Sequence, residues 1–158
     1  ARAAVAMNDA AFQGIVGLHE RFAHEMSLKQ PDGSRLIAFN KELHFGIYVQ
    51  AGMPMLLQMI ESLWLRIGPI LNYDMRSGSA RVHERVAVAH HKSLVQALER
   101  KDADAASQAL RGDIEGAADF IVSAGMLVSA NALPVAAEPL AAPVQPGHAK
   151  AVRSRIAN

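Results

Sequence analysis

At 158 residues the chain is long enough for one domain with a hydrophobic core and too short for two ordinary ones. Hydrophobic residues make up 51% of it, yet charges interrupt them so often that no run reaches the roughly 18 apolar residues of a helical membrane span. Sixteen basic against 15 acidic side chains, a formal charge of +1, leave no electrostatic footprint for nucleic acid, and the absence of cysteine excludes disulfides and thiolate zinc sites.

Any metal therefore falls to His, Asp, Glu or Asn, and a cysteine-free chain fits a cytoplasmic setting. The N-terminal ARAAVAMNDA lacks the charged and apolar regions of a secretory signal and, without an initiator Met, reads as the start of a fragment.

In chain order, Asn8 predicts an N-cap for a helix with Phe12, Ile15, Val16, Leu18 and Phe22 on its apolar side, running to about residue 26. Residues 29–34, KQPDGS, predict a turn. A second helix spans about 34–51, and GlyMetPro ends it and starts a third with Pro54 in the first turn. That helix carries Leu56, Leu57, Ile60, Leu63, Trp64 and Ile67. Gly68-Pro69 should kink or interrupt it, because proline removes a helix hydrogen bond and clashes with the preceding turn. NYDMRSGS, 72–79, reads as a loop. Helices over about 80–100 and 103–126 follow, joined by so short a link that they must form an antiparallel hairpin. Sparse β-branched alternation and the helical period throughout predict an all-α antiparallel bundle of six or seven helices over 1–128. Residues 129–158 shift in composition, with four prolines in NALPVAAEPLAAPVQPGHAK, and predict a Pro/Ala-rich tail.

Polar residues within these helices raise the question of function. Asn40 and His44 stand at i, i+4, stacked on one helix face. His91 and Asp113 lie symmetrically about Asp102 in the short link, so an antiparallel hairpin sets them level on neighbouring helices, about 15 Å from the turn at ~1.5 Å rise per residue. A His and a carboxylate at that depth must bond each other, water or a cation, since an unpaired buried polar group costs about 1–3 kcal/mol. Two readings stay open on the residues alone: a structural His91–Asp113 pair, or a site where two imidazoles, a carboxylate and an amide oxygen hold a divalent ion such as Zn, Ni or Mn. Arg66, on an otherwise apolar helix, either snorkels to water or presents its planar fork to a carboxylate. Tyr48 either joins the core or lines a pocket. His19 and His24, in HERFAH, are one residue too far apart for the HExxH metalloprotease arrangement. His83 and His90 share a face turned away from His91.

The stretch NKELHFGIYVQAGMP, then HKSLVQALERKDADAA, then Asp113 resembles the FCD ligand-binding domain of GntR-type transcription regulators over about residues 1–127. In that family an Asp or Asn followed four residues later by His, a later His and a fourth ligand in the final helix bind metal. The resemblance thus implies metal ligation by Asn40, His44, His91 and Asp113, zinc first and nickel or manganese as alternatives. The chain departs from the pattern with Asn at 40, where Asp is common, and Asp at 113, where His is common, which moves the carboxylate within the set. The resemblance also implies a small organic acid effector contacted by Arg66 and Tyr48, a homodimer, and contact with DNA only through a winged helix-turn-helix domain not contained in these residues. Two rival readings remain: a metal-dependent enzyme, against which no general base stands clearly beside the four residues, and a metal-free helical interaction module.

Overall fold

Six helices make up the described part of the computed structural model, which covers residues 1–76, 85–123 and 125, with backbone alone over 72–76. They are α1 (Arg2–Ala6), α2 (Asp9–Ser27), α3 (Gly33–Val49), α4 (Pro54–Arg76), α5 (Val86–Glu99) and α6 (Ala103–Ser123). There is no strand among the described residues. The expected tail, and His83, lie outside them.

Capping chemistry sets most of the boundaries. The Asn8 side chain accepts from the Ala11 N–H at 2.9 Å and starts α2 where the sequence predicts. Asp32 does the same for α3, accepting from Ser34 and Arg35 at 2.8 and 3.3 Å. The α2–α3 turn is also clamped from inside: buried Glu25 accepts from the Asp32 N–H at 2.9 Å and lies 3.2 Å from the Arg35 Nε. Gly52, at φ 61°, supplies the left-handed residue after α3 that lets the chain turn into Pro54. Between α5 and α6 the link is only Arg100–Asp102. Lys101 adopts φ 53° there, its N–H donates to the Leu98 carbonyl at 3.0 Å, and the Asp102 carboxylate caps α6 by accepting from Ala105 at 2.9 Å.

Three expectations are corrected. Gly68-Pro69 does not interrupt α4, which continues to Arg76. Pro69 and Leu65, whose carbonyl loses its helix partner to the proline, are both exposed, so water can serve the freed oxygen. Residues 72–76, read as loop, are therefore the last part of α4. The third is the helix expected from about residue 80, which among the described residues begins at Val86, behind Arg85 at φ 53°. Ahead of the first expected helix stands α1, a short helix with no side-chain cap, held because Ala3, Ala4 and Met7 bury themselves against the core.

The strongest packing joins α5 to α6 and α2 to α3, giving two antiparallel pairs that meet through α2 and α5, while α4 lies on α3. The main core gathers Ile15, Leu43, Ile47, Leu94, Ala97 and Leu98. A second cluster, Phe22, Met26, Leu36 and Ala87, closes the other end. Gly46 allows α2 and α3 to approach, since a Cβ there would sit 2.8 Å from the Ile15 Cδ1. Between these two apolar clusters lie the buried polar residues of α3, α5 and α6.

Candidate functional site

His44 on α3, His91 on α5 and Asp113 on α6 are all buried, and one donor atom of each lies within 4.8 Å of the others. The level placement predicted for His91 and Asp113 across the hairpin is what the structure has, and α3 brings His44 to the same point. His44 Nε2 is 3.1 Å from the Asp113 Oδ2, a hydrogen-bonding distance, whereas His91 Nε2 is 3.7 Å from the same oxygen, too long for one. Neither ring nitrogen of His91 has a hydrogen-bond partner among the described residues, although the side chain is fully buried.

The electrostatics are unusual for a purely structural pair. Burial pushes the Asp113 carboxyl up, but its interactions with His44 and His91 outweigh this and hold it well below the usual carboxylate range. Burial is the main reason that the His91 pKa is lowered, against the opposing pull of Asp113. An ionised carboxylate thus sits in the interior beside a neutral, unsatisfied imidazole.

Tyr48, one turn beyond His44, places its hydroxyl 3.2 Å from the His44 Nδ1. With the Nε2 proton donated to Asp113, Nδ1 is the acceptor and the phenol is the donor. Burial first, and then the Asp113 charge, raise the Tyr48 pKa to about 12, so its proton stays on across the physiological range.

A cavity of about 630 Å³ opens against this cluster. Asn40, His44, Tyr48 and Asp113 line its polar side, and Arg66 lines it from α4. Five of the six predicted site residues therefore border one space, and the sixth, His91, lies fully buried behind them with its ring 5.3 Å from that of His44. Arg66 is exposed and has no ion-pair partner among the described residues. Trp64, also at the cavity, stacks edge-on with Phe45 at 5.6 Å and fixes α4 on α3.

Two further histidines, outside the predicted set, are partly buried in the bundle. His19 lies with its ring 6.4 Å from His91, and its buried Nδ1 also lacks a partner among the described residues. Its pKa is lowered, first by burial and then by His91. The signal was available: His19 is four residues after Ile15 and three before Phe22, both buried, so it belongs to the core face of α2. His90 packs instead against α6, its ring within about 3.3 Å of where a Gly112 Cβ would be.

The FCD domain family matches residues 1–116. The chain belongs to the FCD family. Over 79 residues it is 33% identical to the HTH-type transcriptional regulator McbR of Escherichia coli (strain K12), an alignment covering 49% of this chain and 35% of that protein. The fold is similar to the solved structure of E. coli McbR/YncC, with a TM-score of 0.68 and 24% identity, over 77% of this chain and 59% of that one. This FCD chain thus spans about a third of the curated relative's length. The all-α architecture expected from periodicity is the FCD fold.

The donor set suits the metal that the family resemblance implies. Two imidazoles and a carboxylate converge with nearly the separation that a shared ion requires, and His91 has lone-pair capacity that no group among the described residues uses. Asn40 borders the same cavity, on the face of α3 that carries His44.

Proposed function

We propose that this FCD domain is the effector-sensing part of a transcription regulator, holding a divalent metal and responding to an organic acid. The observation that carries the reading is the ionised Asp113 carboxylate, buried beside an unpartnered His91 at the inner wall of an accessible cavity. Without a cation such an arrangement repels an anionic effector and leaves polar atoms unsatisfied at about 1–3 kcal/mol each. A bound zinc, or nickel or manganese, would supply positive charge and coordination positions open to an anionic oxygen.

His44, His91 and Asp113 would hold the ion, with the Asn40 amide oxygen as the fourth donor. Ligation through Nε2 would leave the His44 proton on Nδ1, and the Tyr48 hydroxyl would then accept where it donates in the metal-free site. Arg66 would add a charge-assisted hydrogen bond to the acid from the α4 side. Because the cavity lies between α4 and α6, an acid that binds one arrangement of these helices more tightly than another shifts their equilibrium. The name of the E. coli relative supports coupling of that shift to a helix-turn-helix domain outside these residues, and hence to DNA. A homodimer fits a palindromic operator, and Met55, Met59 and Leu63, spaced four apart on α4 and each more than 60% exposed, offer an apolar face for it.

Metal titration tests the reading. The parent, stripped by chelator, should take up one zinc per chain with an affinity that His91→Ala lowers at least a hundredfold. Equal affinity in both would overturn the metal assignment.

A further inference from the structure

The cavity's walls say more about the effector than its polar floor does. Ile60, Ile67 and Leu71 of α4 face Leu110, Ala117 and Ile121 of α6, while the polar groups, Arg66 on α4 apart, gather where Asn40, His44, Tyr48 and Asp113 meet the cavity. At about 30 Å³ for each water-sized group, 630 Å³ accommodates on the order of 20 non-hydrogen atoms. A short acid fills a fraction of that volume. A polyhydroxylated or multiply carboxylated one would find Arg66 for one distal oxygen and set the rest against aliphatic side chains that offer them no hydrogen bond.

Resting on the metal-assisted sensing reading above, we propose that the effector is an amphipathic carboxylate. Its head meets the His44–His91–Asp113 centre, and its aliphatic or aromatic body lies between α4 and α6. In that pose the body buries apolar surface on both helices, so affinity grows with the body's length until the cavity is full. Each added methylene should tighten binding about threefold to fourfold.

The test uses the zinc-loaded 158-residue chain and calorimetric titration with acetate, butyrate, hexanoate and octanoate, alongside octan-1-ol and succinate. Octanoate should bind at least a hundredfold more tightly than acetate and succinate, and more tightly than octan-1-ol. Ala117→Phe, which puts a ring into the cavity, should cut the octanoate-to-acetate affinity ratio at least tenfold while circular dichroism shows the helices intact. A flat series, or succinate ahead of octanoate, overturns the amphipathic assignment and leaves acid sensing standing. Octan-1-ol equal to octanoate overturns the carboxylate head, and acid sensing with it. Binding by none of the probes overturns both.

Discussion

Tyr48→Phe isolates one atom of the proposed centre. The substitution keeps the ring, and with it the packing against Phe45 at 5.8 Å and His44 at 5.9 Å, but deletes the hydroxyl 3.2 Å from the His44 Nδ1. In the metal-free protein the loss is of one hydrogen bond, about 1 kcal/mol. In the metal-bound protein the loss is larger, because the Nδ1 proton is then fixed by ligation through Nε2 and has no acceptor to replace the phenol. Outer partners of ligating imidazoles are worth about 10- to 100-fold in metal affinity, or roughly 1.4–2.7 kcal/mol. Competition of the parent and the variant against a zinc chelator at pH 7.5 measures that difference, and thermal melts in chelator measure the metal-free cost. Equal zinc affinity, or an affinity loss no larger than the destabilisation of the metal-free protein, would refute the tautomer argument.

Arg66→Ala should weaken the preferred acid by about 1.5–3 kcal/mol while leaving zinc affinity within twofold, as read by paired titrations. Lys101→Gly removes a left-handed conformation that costs an L-residue about 1–2 kcal/mol and adds back the greater chain entropy of glycine, so a net gain of roughly 0.5–1 kcal/mol should appear as a raised denaturation midpoint. The metal-free protein should lose stability on acidification: the lowered His91 pKa means that the unfolded chain takes up its proton first, so stability is full above about pH 6.5 and falls below it by up to roughly 1.4 kcal/mol per pH unit. His91→Gln should flatten that slope, and an unchanged slope in urea melts between pH 7 and pH 5 would count against the assignment.

The sequence made the site more legible than the helix ends. His44 could be paired with Asn40 from the i, i+4 spacing, and His91 with Asp113 from the mirror symmetry of a short link, because both relations follow from rigid helix geometry. What no local rule supplied was the meeting of the two pairs, which depends on how α3 docks against the α5–α6 hairpin. The spacing of His19 from His24 along α2 carries no information about His91, its neighbour on α5. The last part of α4 is obscured in the sequence for a different reason. Asn72 and Asp74 carry low helix propensity and follow a Gly-Pro pair, but propensity is a weak prior once a helix is anchored, and contacts such as Trp64 on Phe45 anchor α4 upstream. The helix α1 is too short to show a period at all.

The three donors come from helices that reach one another late. The α2–α3 and α5–α6 pairs are each closed by a short link and can form from local contacts, but His44 meets His91 and Asp113 only when the two pairs dock. Contacts so distant along the chain generally follow local ones in the order of folding. A cation held there could not guide the early hairpins. It would act on the assembled state, adding about 2.7 kcal/mol at a hundredfold excess over its dissociation constant. Such late stabilisation slows escape from the native basin far more than it speeds entry. Metal supply would then set how long each folded copy survives, and a metal-starved cell would lose the protein through faster unfolding and not through slower synthesis of the fold.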